Sequence, residues 1–318
     1  MGRYFIRRVL QFIPVFLGAT LLIFSLVFAL PGDPIRALAG ERPQPQSVQD
    51  ALRDEYDLDD PLLVQYGKYI GFIQDDDTQS FNGLLQGNFG TNFRGRPVSE
   101  IMAEKLPVSI RLALLAFVFE TILGLLAGIL AGLRKGSFLD NLVLVSTVAV
   151  ISIPIFVLGF IAQLVVGVEL GWLPIAGLRS GWVSYVLPAI VLASVSLAYI
   201  ARLTRTSLVE NLRTDYVRTA TAKGLPRGRV VGIHTMRNSM IPVITYLGID
   251  LGNLMSGAIV TESVFNLPGI GREVFLAVKA QEGTVVVGIV TFLVLIYMVS
   301  NLLVDFLYAA LDPRIRYE

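Results

Sequence analysis

"RTDYVRTATAKGLPRGRVVGIHTMRNSM", residues 213–240, is a basic, water-loving stretch in a chain that is otherwise strongly apolar. Its surroundings decide how it must be read. Of 318 residues, 54% are hydrophobic and 16% charged, with a mean hydropathy of +0.66, whereas soluble domains carry about 25% charged residues. A bilayer span takes about 20 mostly apolar residues. Six stretches qualify, roughly 9–30, 110–133, 141–168, 184–201, 241–261 and 284–309. The sequence therefore predicts an all-α membrane protein with six transmembrane helices, the third and sixth long enough to tilt or to include interfacial turns. Residues 213–240 fall between the fourth and fifth spans, at a membrane surface.

The local pattern of that stretch is helix, sharp turn, helix. Leu208, Leu212, Tyr216 and Ala220 recur every four residues and share one helical face, with Arg213, Arg218 and Lys223 off it. Gly224 can take the left-handed conformation of a helix C-terminus, and Pro226 suits the first turn of a second helix, which runs toward Pro242. Two readings are open on physical grounds. The bend is a protrusion that a soluble partner grips, or it is an interfacial helix whose basic residues touch anionic headgroups, each worth about 1 kcal/mol.

Orientation follows from Lys and Arg. With the N-terminus inside, the inner segments hold Arg3, Arg7, Arg8, Arg134, Lys135, the basic residues from Arg202 to Arg237, Arg314 and Arg316, so the positive-inside rule places both termini in the cytoplasm. The first span follows three arginines, as a secretion signal would, but its apolar run is too long and lacks a small-x-small cleavage site, so it reads as a retained helix. The outer segment 31–106 carries thirteen acidic against seven basic residues. Loops beyond about 15 residues usually have structure or a task. "SVQDALRDEY", with Ser47 as an N-cap, and "PLLVQYGKYIGFI" predict two short amphipathic helices in a small cap, with "DDDTQSFNG" as an exposed loop. A merely solvated acidic spacer is the alternative. The division is thus 1–30 (tail and first span), 31–106 (cap) and 107–318 (a five-helix core that includes the loop 204–240).

Other chemistry is largely excluded. A net charge of +1 gives no argument for nucleic acid. The chain has no cysteine, and His234 is its only histidine, so disulfides, thiolate sites, HExxH zinc sites and Ser-His-Asp triads cannot be built. His234 reads as a surface or packing residue. "PGIGREV" lacks a third glycine and follows a span rather than a strand, so it is no dinucleotide fingerprint. There is no GxxxxGK[ST] loop. Gly124, Gly128 and Gly132, every four residues, permit close helix contact within the chain or with a partner. Glu120, near the middle of the second span, and Asp250, in the fifth with Asn253 on its face, each cost about 2.5–3.5 kcal/mol at the bilayer centre. They line a passage for a cationic group or are buried in contacts between helices. Arg111, near the outer end, can snorkel.

"DYVRTATAKGL" followed by "IHTMRNSMIPV" resembles the cytoplasmic EAA loop of ABC importer permeases of the dipeptide/oligopeptide/nickel family. "ALPGDP", "RPVSEIMAEKLPVSIRLAL", "SIPIFVLG", "LGWLPIAG", "ARLTRTSLVE", "ESVFNLPGIG" and "LVDFLYAALDPRIR" resemble it too, in the family's order over nearly the whole chain. The long outer loop is similar to that of the first of the two paired permeases. The sequence departs from the founding motif at Arg218, Arg237 and Asn238, and it has "QEGTVVVG" and Arg111 where the family usually differs.

The resemblance implies type I importer architecture and a translocation role for di- or oligopeptides, with nickel chelates or glutathione as alternatives. A secondary transporter is the reading from another class, and the internal repeats it would need are not evident. The resemblance also implies a second permease, two cytoplasmic ATPases, an extracytoplasmic substrate-binding protein and surrounding lipid. This chain would be no enzyme and bind no cofactor or metal, with ATP and Mg held by the ATPases. Asp215, Tyr216, Arg218, Thr219, Ala220, Ala222, Lys223, Gly224 and Leu225 would meet the ATPase. Glu120, Asp250 and Asn253 are the candidate passage residues.

Overall fold

The computed structural model describes residues 2–28, 60–74 and 80–311. The motifs "ALPGDP" and "SVQDALRDEY", most of "DDDTQSFNG" and the final "DPRIR" lie outside the described residues. Among the described residues the chain is built from helices. These are α1 (Gly2–Phe28), α2 (Leu62–Ile70), α3 (Val98–Leu133), α4 (Phe138–Ser152), α5 (Ile155–Ala162) and α6 (Val183–Asn211), then α7 (Asp215–Ala222), α8 (227–239), α9 (Ile241–Val264), α10 (Ile270–Lys279) and α11 (Gly283–Leu311).

Four helices are long and apolar enough to cross a membrane as single rods: Ile6–Phe28, Val98–Leu133, Val183–Asn211 and Gly283–Val304. The other two apolar stretches are bent. Phe138–Ser152 meets Ile155–Glu169 at 106°, and Ile241–Met255 meets Ala258–Val264 at 49°. The first bend falls at Pro154, which has no amide hydrogen to continue the ladder. Beyond it α5 passes into a π-helical stretch, Gln163–Glu169. Four to six spans are thus available.

The chain divides into two compact units. The first comprises 1–107, 268–299 and 313–318. Within it, Phe24 of α1 packs its ring 5.7 Å from Tyr66 and 5.5 Å from Tyr69 of α2. The Tyr66 hydroxyl donates to the Leu17 carbonyl at 2.9 Å, and that of Tyr69 donates to Thr291 Oγ1 at 2.9 Å. The helix expected in "PLLVQYGKYIGFI" is therefore α2, ended by Gly71 at φ 88°.

The second unit comprises 108–267 and 300–312. Here α3 lies against α6 along the glycine stripe. A Cβ on Gly124 would stand 2.8 Å from Ile200 Cγ2. One on Gly128 would stand 2.6 Å from the Ala201 carbonyl, and one on Gly132 would stand 3.0 Å from Leu208 Cδ2. The stripe is a packing surface within this chain. The segment after α5 is pinned to the end of α9, because Gln163 Nε2 donates to the carbonyls of Ile175 (2.8 Å) and Val264 (3.0 Å).

Candidate functional site

α6 does not run on into the basic stretch. It ends at Asn211, and α7 begins at Asp215 after a break in which the Thr214 hydroxyl donates to the Asn211 carbonyl at 2.6 Å. That side-chain bond competes with the helical ladder, as threonine at helix ends commonly does. The four-residue repeat expected to form one face is therefore split. Leu208 is buried, but Tyr216 is 39% exposed, and its hydroxyl donates to Asn211 Oδ1 at 2.7 Å.

The turn after α7 is the expected one. Gly224 has φ 77°. Its N–H donates to the Thr221 carbonyl (2.9 Å), and the Leu225 N–H reaches the Ala220 carbonyl (3.3 Å). These two bonds are the Schellman pattern, which is completed by an apolar contact across the turn. Leu225 provides that contact, packing on a buried cluster of Val217, Ala220 and Val230. Pro226 then opens α8, which is an α-turn (Arg227–Arg229), a π-helical stretch (Val230–Thr235) and a second α-turn (Met236–Ser239). α7 and α8 thus fold back on each other about an apolar pin.

The bend sorts the candidate residues. Asp215, Tyr216, Arg218, Thr219, Ala222, Lys223 and Gly224 are exposed, Leu225 is half-buried, and Ala220 is buried in the pin. Ala220 serves the scaffold, and Ala222 and Gly224 supply the small exposed surface. Arg218 Nη1 lies 3.2 Å from Asp215 Oδ1 with both side chains in solvent, a pair worth about 0.3–0.5 kcal/mol. His234 is half-buried in the π-helical stretch.

The intramembrane acids are brought together. Glu120 of α3 and Asp250 of α9 are both buried, near enough for their carboxyl groups to interact. Asn253 Nδ2 donates to Asp250 Oδ1 at 3.3 Å, and Asn253 itself is exposed. Neither oxygen of Glu120 meets a hydrogen-bond donor, nor does Asp250 Oδ2. Tyr246 stands near Asp250, and its ring lies 6.1 Å from that of Tyr199. The Arg111 guanidinium stacks 5.9 Å from the Trp182 ring centroid.

Two polar sites escaped the sequence reading. Glu262, at the end of α9, is fully buried and accepts from the Ser109 hydroxyl. Asp140, also buried, takes both ends of the Arg205 fork, Nε to Oδ1 at 2.9 Å and Nη2 to Oδ2 at 2.8 Å. Partners separated by 153 and 65 positions leave no local spacing to read. Asp140 alone gave a signal, as an acid in the first turn of a helix capped by Ser137.

The family model described as "Binding-protein-dependent transport system inner membrane component" matches residues 124–317, and a companion model of the N-terminal part of such components matches 1–113. Three curated relatives align over 100% of this chain and 100% of their own length. The dipeptide transport system permease protein DppB of Alkalihalophilus pseudofirmus is 36% identical, and the di/tripeptide transport system permease protein DppB of Pseudomonas aeruginosa is 37% identical. The glutathione transport system permease protein GsiC of Escherichia coli K12 is 38% identical.

Proposed function

Because the chain belongs to the family of binding-protein-dependent transport system inner membrane components, and so is the permease subunit of an ABC importer of the peptide group, we propose that it forms half of a passage for di- and oligopeptides. The observation that carries the reading is the exposed bend at Gly224, built on a pin of its own side chains and presenting a small-residue surface to the outside of the fold. A second permease completes the passage. Two cytoplasmic ATPases hold the bends, and their closure around ATP and Mg swings the spans between inward and outward access. The binding protein delivers cargo at the cap, 31–106. Glu120, Asp250 and Asn253 line the passage, where carboxyl groups suit the ammonium end of a peptide. Glutathione is the second cargo reading, favoured by a relative of equal coverage and similar identity. Purified complex with its binding protein should show ATPase stimulation and uptake with di- and oligopeptides. Stimulation by glutathione or a nickel chelate alone would replace the peptide reading.

This reading has six spans, with both termini and residues 204–240 in the cytoplasm. The chain has no cysteine of its own, which makes labelling clean. Gly228 is exposed with nothing within 4 Å of an added Cβ, and Asn82 is exposed in the cap. A membrane-impermeant maleimide should label Asn82→Cys on intact cells and Gly228→Cys only after permeabilisation. The reverse pattern would invert the topology.

A further inference from the structure

The pair of buried Asp140 and half-buried Arg205 stands where the turn between α3 and α4 meets α6. The Gly136 N–H donates to Asp140 Oδ2 at 2.8 Å, so the carboxylate is tied to the turn as well as to the guanidinium. The side chains of Arg205 and Asp140 are 19% and 2% exposed. Two bonds from one guanidinium to one carboxylate fix orientation as well as distance, so the start of α4 cannot swivel against α6.

From the turn of α6 that carries Arg205, hydrogen bonds lead out to the bend. Two residues along α6, the Ser207 carbonyl accepts from Asn211 Nδ2 at 2.9 Å and from Ser239 Oγ of α8 at 3.5 Å. Asn211 Oδ1 then accepts from the Tyr216 hydroxyl in the first turn of α7 at 2.7 Å. The bend is thus tied to the last turns of α6, and α6 to the α3–α4 turn.

We propose that Asp140 and Arg205 are positioning residues that carry displacement of the bend to the cytoplasmic end of α4, so that ATPase closure moves that span as well as α6. The proposal rests on the reading of 204–240 as the ATPase contact. A pair that merely stabilises the fold would change how much complex forms. A pair that transmits movement changes how much cargo crosses per nucleotide spent.

The test is the ratio of peptide imported to ATP hydrolysed by the reconstituted importer with its binding protein, at matched subunit content. Asp140→Asn removes the charge and keeps an acceptor, and Arg205→Lys keeps the charge and loses the fork. Asn211→Ala cuts the run where it leaves α6, at a half-buried side chain that is not among the ATPase contacts of the bend. Each variant should keep the ATPases bound and hydrolysing while the ratio falls about five-fold or more, the low end of a site-to-site coupling. Asp140→Asn combined with Arg205→Lys should be no worse than the more severe single change, because both remove one interaction. If Asp140→Asn does not accumulate, Arg205→Lys and Asn211→Ala carry the test. An unchanged ratio in Arg205→Lys overturns the proposal, whatever happens to the amount of complex. Failure of the loop reading would look different: Ala222→Glu would leave ATPase binding and uptake intact.

Discussion

Ala222→Glu should strip the ATPases from the importer while the membrane subunit stays folded and in place. Ala222 closes α7 on its exposed side, so the new carboxylate is solvated in the free chain and costs the fold almost nothing. Only a docked partner buries it. An unpaired charge in such an interface costs about 3–5 kcal/mol, and every 1.4 kcal/mol is about ten-fold in affinity, so the loss exceeds two orders of magnitude. Copurification of the ATPases with a tagged permease reads the loss, and the quantity of permease in the membrane reads the fold. Gly224→Ala is the milder contrast. An added Cβ there meets nothing within 4 Å, and the left-handed turn alone penalises it by about 1 kcal/mol. That variant should assemble and import several-fold more slowly. Normal copurification and uptake in Ala222→Glu would reduce the bend to a helix resting on lipid headgroups.

Substitution along the glycine stripe should produce graded failure, with Gly128 the worst site. A Cβ on Gly128 faces the Ala201 carbonyl and Thr204 Cβ, both at 2.6 Å. Neither can move unless α6 moves. Gly124 faces the β-branched Ile200 at 2.8 Å, a side chain with little rotameric freedom. Gly132 faces Leu208 at 3.0 Å for Cδ2 and 3.2 Å for Cβ, with the Arg205 carbonyl at 3.3 Å, so its neighbours need give by only a few tenths of an ångström. Overpacking costs about 1–3 kcal/mol, so Gly128→Leu should prevent accumulation of folded permease, and Gly128→Ala should lower its thermal stability visibly in detergent. Gly132→Ala should cost well under half of that. Gly18, with nothing within 4 Å, is the control: Gly18→Ala in a helix interior should be neutral or stabilising by up to about 1 kcal/mol. An equal response at 18 and 128 would remove close α3–α6 packing from the account.

Much of this was legible because it is written locally. Gly224 and Pro226 announce a turn whatever the tertiary context, and the structure supplies the left-handed glycine and the restart. The glycine stripe also read correctly, since only small residues let two backbones approach. The misreadings have physical reasons. The repeat Leu208, Leu212, Tyr216, Ala220 suggests one helix, yet the Thr214 hydroxyl bonds the Asn211 carbonyl and the ladder stops. Apolarity over 141–168 counts as span length but does not encode direction, and Pro154 turns the chain by 106° within it. The ion pair of Asp140 with Arg205 and the contact of Glu262 with Ser109 depend on helices that meet only after folding. No periodicity foretells them.

The first compact unit has a further consequence, in the order of its manufacture. Its parts are 1–107, 268–299 and 313–318, with most of the second unit encoded between them. At usual rates of synthesis, roughly 10–40 s separate the emergence of residue 107 from that of residue 299. Through that interval α1, of whose most apolar window only 11% is buried even in the finished chain, stands with α2 alone, whose Tyr69 still lacks its Thr291 partner on α11. It can wait because a helix satisfies its own backbone. A nascent chain arrested after residue 267 would hold a second unit lacking only 300–312 beside a half-built first unit. α1 thus emerges long before α11, which completes the contacts of its partner α2.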